Sequence, residues 1–158
     1  MRDNIERLQL NENLTIKLSD AVKYTTREKV DIVLLDAPCS GTGTIRKNPD
    51  LPFLKDDGLI KSVAKLQRQM LTKACELVKD GGTIVFATCS LQPEEGENHL
   101  LNLPDGLKIS PIRRKEIPGL EKSITAKGAM RILPNMYKDG LDGFFIARFT
   151  KIPSESSD

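Results

Sequence analysis

Two cysteines stand where an α/β protein commonly holds its ligands. Cys39 lies in Asp36-Ala37-Pro38-Cys39-Ser40-Gly41-Thr42-Gly43, directly after the apolar run 30–35. Cys89 lies in Thr88-Cys89-Ser90, directly after the apolar run 83–87. An open α/β sheet binds ligands in the crevice beyond the carboxyl ends of its strands. Two thiols at two such ends can face one pocket, and Asp36 ends the first strand beside one of them. A thiolate can add to an electron-poor ring, and an acid can supply the proton that makes the ring more electrophilic. Each residue also has a plain structural role open to it. Free cysteine is among the most buried residue types, and an aspartate at a turn can bond the following amides.

The elements that must position these residues can be read from hydrophobic spacing. Residues 4–10 read as the end of a helix. Leu14, Ile16 and Leu18 alternate with polar residues, the period of a half-buried strand, and Asp20 follows them. Residues 24–29 are polar and turn-like. The run 30–35 is nearly continuous apolar sequence, as in a strand covered on both faces of a parallel sheet. Residues 39–53 are rich in Gly, Pro, Ser and Thr and form a long loop.

Residues 59–78 carry apolar side chains at 59, 63, 66, 70, 74 and 77, a helix with one buried stripe. Cys75 sits with that stripe and belongs to the core. Gly81-Gly82 stops the helix, and a strand over 83–88 follows. Pro93 with Glu94, Glu95 and Glu97 starts a further helix, which places His99 on an exposed face. Residues 107–109 begin another strand, 143–150 form the last, and 116–141 is a long connection between them. The order describes an α/β domain over residues 1–151, with a mostly parallel sheet, an antiparallel last strand and a polar tail over 152–158.

The composition narrows the function classes. The chain has 158 residues and a net charge of +2, which allows nucleic acid as a partner without requiring it. Aromatic residues are only 4% with no Trp, so a base-stacking platform is poorly supported. No apolar run approaches the roughly 20 residues that span a bilayer. The first residues are charged where a signal peptide would be apolar, so a cytoplasmic location is expected. Three cysteines, no C-x-x-C and one histidine argue against a disulfide framework and against a zinc site. Ser40-Gly41-Thr42-Gly43 lacks the spacing of a triphosphate-binding loop.

The segment 36–43 resembles the RNA cytosine-5 methyltransferases that use S-adenosylmethionine, most closely the bacterial 16S ribosomal RNA branch, the Sun or Fmu proteins. The likeness continues through Thr44-Ile45-Arg46-Lys47-Asn48-Pro49-Asp50, then Gln67 and Leu71. It resumes at Gly81-Gly82-Thr83, Ala87-Thr88-Cys89-Ser90 and Pro93-Glu94-Glu95. It closes with Arg131-Ile132-Leu133-Pro134 and Gly140-Leu141-Asp142-Gly143-Phe144-Phe145. Several matched segments in order and at family-like spacing are specific, where a single Pro-Cys or Thr-Cys-Ser would not be.

The resemblance implies an incomplete Rossmann-like fold that methylates carbon 5 of cytosine in RNA, with S-adenosylmethionine as cofactor and ribosomal RNA as the expected partner. Cys89 is then the nucleophile that adds to carbon 6, and Cys39 assists release of the adduct. DNA cytosine-5 methyltransferases attack with the Pro-Cys cysteine instead, so chemistry alone leaves the order of the two open. By the same resemblance Asp36 contacts the base, and Asp20, Asp36 and Pro38 line the cofactor. Arg46 and Lys47, on the loop beside the site, could hold RNA phosphates or stand solvated.

The family's glycine-rich cofactor loop has no counterpart here. The chain is therefore expected to bind cofactor weakly, and to leave strand edges unpaired at 14–18 and 30–35. Two other readings stay open: an inactive truncated remnant, and a subunit completed by a separate N-terminal fragment.

Overall fold

The computed structural model describes residues 2–10 and 14–153. Its order is α1 (Arg2–Arg7), β1 (Val30–Asp36), α2 (Leu51–Leu54), α3 (Asp57–Leu77), β2 (Val78–Thr88), β3 (Leu107–Ile109), β4 (Met130–Ile132) and β5 (Phe144–Lys151), with short 3-10 turns between. One five-stranded mixed sheet runs β1-β2-β5-β3, and β4 also pairs with β5. β1 and β2 are parallel, joined by the long crossover that contains α3. β5 is antiparallel to β2. On its other edge β5 takes β3 at one end and β4 at the other.

The core lies on one side of this sheet. Ile84, Phe86 and Thr88 of β2 stand directly opposite Phe149, Ala147 and Phe145 of β5, all inaccessible to water. They pack with Leu71, Ala74 and Cys75 of α3, and with Leu100, Leu107 and Ala129. Full burial of side chains such as Phe86, Phe145 and Phe149 contributes roughly 1.5–3 kcal/mol each. Cys75 is a core residue, as its place beside the helical stripe indicates.

α3 begins at Asp56, whose carboxylate accepts the Leu59 amide at 2.7 Å, a regular N-cap. The buried stripe is Ile60, Gln67, Leu71, Ala74 and Cys75. It is rotated from the one the sequence suggests, with Leu59 and Leu66 at the solvent border. Gly81-Gly82 does not stop the helix. α3 ends at Leu77 and the chain extends at Val78. The two glycines instead form a bulge, where the β1 partner register jumps from Val30↔Val78 to Ile32↔Thr83. Gly81 takes a φ of 75°, and a Cβ on Gly82 would lie 2.8 Å from the Asp31 carbonyl oxygen.

Further expectations are corrected. Residues 14–18 form no strand, and Leu18 stands fully exposed, because no sheet edge reaches that segment. β1 is not covered on both faces. It is an edge strand, with Ile32 65% and Leu34 71% exposed. Residues 93–101 are two 3-10 turns rather than one helix. β4 arises inside the long connection, where the sequence reading placed no strand. The tail from residue 154 onward lies outside the described residues.

These differences set an order of local stability. Backbone amides of 14–18 lack ladder partners, whereas Ile84–Ala87 pair on both edges. Hydrogen exchange should show 14–18 exchanging at least about 100-fold faster than 84–87, since opening costs span from near zero to the global value. Equal protection would refute the assignment of 14–18 as unpaired chain.

Candidate active site

The two cysteine segments leave adjacent parallel strands at the same end. Asp36 stands opposite Ala87 in the β1–β2 register, and the Ala37 amide continues the ladder to the Ala87 carbonyl at 3.0 Å. Each chain then turns toward the other. Cys39 Sγ and Cys89 Sγ come within 3.3 Å, both half-buried. Burial, reinforced by the hydrogen bond with Cys89, pushes the Cys39 thiol up to about 12. Cys39 thus stays an S–H at neutral pH, within hydrogen-bond reach of the Cys89 sulfur. Asp36 and Pro38 are exposed beside the pair.

Close backbone approach holds the loops together. The Gly43 amide donates to the Cys89 carbonyl at 2.9 Å, and the Gly143 amide donates to the Gly43 carbonyl at 2.7 Å. A Cβ at Gly43 would lie 2.0 Å from the Gly143 oxygen and 2.8 Å from the Cys89 oxygen. Only glycine allows this junction of three chain segments.

Beneath the cysteines lies a buried polar group that the sequence reading did not assign to the site. Glu95 is fully inaccessible. Its carboxyl group accepts from the Ser40 amide at 2.8 Å, from Ser40 Oγ at 2.5 Å, from Ser90 Oγ, and more distantly from Gln67 Nε2 at 3.4 Å. Ser40, Thr42 and Ser90 hydroxyls also lie 3.2–3.3 Å from one another. Gln67 Nε2 donates to the Pro38 carbonyl at 2.7 Å. Its amide oxygen therefore faces His99, whose Nε2–H donates to it at 2.9 Å.

His99 is buried rather than on an exposed helix face, because the 3-10 turns fold it inward. It meets the edge of Phe86 with ring centroids 5.2 Å apart. Burial first, then the positive charge of Arg68, brings its pKa down to about 4. Arg131 of β4 grips Glu97 with two nitrogens and donates to the Ser90 carbonyl. One signal for this network was present in the sequence: Gln67 is a polar residue among the apolar positions of α3.

The remaining sequence candidates are placed as follows. Asp20 is exposed, accepts the Val22 amide at 3.0 Å in its own turn, and lies 3.8 Å from Lys23. Lys47 pairs with Asp142 at 2.6 Å, an exposed contact worth little energetically. Arg46 packs beside Gly140, and with Lys47, Asp142 and Phe144 it lines an open cleft of about 530 Å³. Asp20 and Asp36 are both solvent-accessible carboxylates, and they fit a cofactor that presents amino and hydroxyl donors. Among the described residues no helix is long and apolar enough to cross a membrane.

The protonation of His99 fixes a pH dependence. Its folded pKa lies below the ordinary 6.5, so stability is complete above that value and falls as the unfolded chain takes up a proton. The loss should run at up to about 1.4 kcal/mol per pH unit between pH 6.5 and about 4. Carboxylates such as Glu116, held at about 2 by Arg148, contribute only below the ordinary carboxylate range. Urea unfolding at pH 7 and pH 5 should differ by about 2 kcal/mol in the native chain and far less in His99→Phe. The same pH difference in both would show that His99 is not the group responsible.

Comparison with known proteins agrees with this architecture. A family model described as 16S rRNA methyltransferase RsmB/F matches residues 1–150. Ribosomal RNA small subunit methyltransferase F of Shewanella loihica is 36% identical over 129 residues, covering 79% of this chain and 26% of the relative. The protein of the same name from Escherichia coli is 37% identical over 128 residues, covering 78% and 26%. The chain thus spans about a quarter of the length of these curated relatives. Among solved structures, NSun6 from Pyrococcus horikoshii with SFG superposes at a TM-score of 0.79 and 29% identity, covering 98% of this chain and 38% of that one.

Proposed function

The chain belongs to the 16S rRNA methyltransferase RsmB/F family, and from that premise we propose that its cysteine pair methylates carbon 5 of cytosine in ribosomal RNA through a covalent cysteine adduct. The fold is a partial Rossmann-like class I methyltransferase architecture. S-adenosylmethionine is the cofactor of this reading, and it supplies the methyl group. Asp36, Pro38 and Asp20 are the residues that would hold it.

The observation that carries the mechanism is the 3.3 Å contact between Cys39 and Cys89 at the ends of neighbouring strands. A target cytosine is unstacked into the crevice. The Cys89 sulfur adds to carbon 6, and Asp36 shares a proton with the ring nitrogen, so carbon 5 becomes enamine-like and takes the methyl group. Water takes the proton from carbon 5, its electron pair re-forms the carbon 5–carbon 6 double bond and expels the Cys89 sulfur as thiolate, and the ring nitrogen returns its proton to Asp36. Cys39 assists that release as an S–H donor. Burial that keeps Cys39 in its S–H form supports its part as the donor. Arg46 and Lys47 hold backbone phosphates in the adjoining cleft, with Lys47 exchanging Asp142 for a phosphate.

A second observation bears on completeness. Among the described residues nothing pairs with the outer edge of β1, which exposes Ile32 and Leu34. An open, apolar edge strand invites pairing. It supports the reading that activity requires further strand-forming sequence against β1, from a longer chain or a separate N-terminal fragment.

The test uses this chain alone and this chain joined to the N-terminal region of the Escherichia coli relative. In the active form, Cys89→Ala should abolish methyl transfer and covalent capture of RNA containing 5-fluorocytosine. Cys39→Ala should leave attack intact and accumulate a covalent RNA–protein species on ordinary cytosine RNA, read on a denaturing gel. The opposite pattern would exchange the two roles, and no effect from either variant would end the cysteine mechanism.

A further inference from the structure

The two thiols depend on a residue that touches neither of them. Ser40 directly follows Cys39, and Ser90 directly follows Cys89. Both serines donate to the same carboxyl group, that of Glu95, which has no access to water. The Ser40 amide donates as well, so Glu95 restrains the backbone immediately after Cys39 and, through the Ser90 hydroxyl, the residue immediately after Cys89. Gln67 closes the arrangement from α3, donating to the Pro38 carbonyl on the residue before Cys39 and reaching the same carboxyl group.

We infer that Glu95 is a positioning residue that clamps the Cys39 and Cys89 loops to one another and so sets the separation of their sulfurs. A buried acceptor that loses its donors, or donors that lose their acceptor, leave polar groups unpaired away from water. The loops can therefore not drift apart singly without breaking the shared set. Thr42 Oγ1 joins the same hydroxyl cluster and accepts the Leu91 amide at 2.9 Å. One acidic side chain thus couples the geometry of two thiols that lie far apart in sequence. The significance of that coupling for catalysis rests on the methyl-transfer reading, whereas the clamp itself is a property of the folded chain.

The experiment reads the sulfur pair directly with phenylarsine oxide. Its arsenic bonds two thiols held at close separation, and the two thiol protons leave with its oxygen as one water molecule. The native chain should take up one arsenical on Cys39 and Cys89, located by peptide mass mapping, with buried Cys75 unmodified. Competition with a free dithiol gives the relative affinity.

Glu95→Met keeps an unbranched side chain of similar length and removes the hydrogen bonds, and should weaken capture by about tenfold through lost pre-organisation. Glu95→Gln keeps polar partners for Ser40 and Ser90 and should stay within about threefold of the native chain. A role in filling space alone predicts no such difference, with Met tolerated as well as Gln. Should Glu95→Met fail to fold, Ser40→Ala with Ser90→Ala must reproduce the loss. Native affinity in Glu95→Met or in the double serine variant, a Gln variant as weak as Met, or no dithiol capture by the native chain would each overturn the proposal. Neither RNA nor cofactor enters this assay, so its failure and the failure of the methyl-transfer reading are separately visible.

Discussion

A carboxyl group with no access to water must find its hydrogen-bond partners within the protein, since a buried polar group left unpaired costs on the order of 1–3 kcal/mol. Glu95 finds them on Ser40, Ser90 and Gln67, from three separate elements. The same demand orders its surroundings. Gln67, having spent its amide nitrogen, offers only its oxygen to His99. His99 is thereby fixed as one tautomer and kept neutral by burial. Thr88 Oγ1 donates to the Glu95 carbonyl at 3.0 Å, which binds the turn back to the end of β2.

Around this polar centre the backbone approaches more closely than side chains allow. Gly43 and Gly143 bring the Cys39 loop, the Cys89 carbonyl and the start of β5 into one junction. Arg131 adds a fourth connection, from β4 to Glu97 and to the Ser90 carbonyl, with its guanidinium 4.9 Å from the Phe145 ring. The strands therefore supply direction, while glycines and a few buried polar side chains supply distance. The division is a physical one. A parallel pair of strands delivers two chain ends to one side of a sheet, but it does not decide how those ends turn.

The sheet is finished on one side of β2 and open on the other. β5 covers one edge of β2 and is itself edged by β3 and β4, whereas β1 has β2 on one side only. Ile32 and Leu34 stand in water although their sequence is that of a buried strand. A run of apolar residues states which chain wants to be covered, and neighbours alone determine whether it is.

Several features were legible in the residues themselves. β1, α3, β2 and β5 follow from apolar runs and helical spacing, because those patterns express local geometry and one-sided burial. The two cysteine segments stand out because each follows such a run. Cys75 reads as core from its place beside the α3 stripe. Other features were not legible. Alternation over 14–18 suggested a strand, yet a strand needs a neighbour. Gly81-Gly82 read as a helix stop, yet it serves a bulge whose cause is the pairing with β1. A helix over 93–101 would leave His99 exposed. Its inward turn, the burial of Glu95 and the arrival of Arg131 at Ser90 all depend on contacts between residues distant in sequence. Sequence by itself determined β1, α3, β2 and β5 and the types of chemical group at their ends. Only the tertiary structure decided which groups meet, because hydrogen-bond satisfaction in a buried site is settled among segments that periodicity treats one at a time.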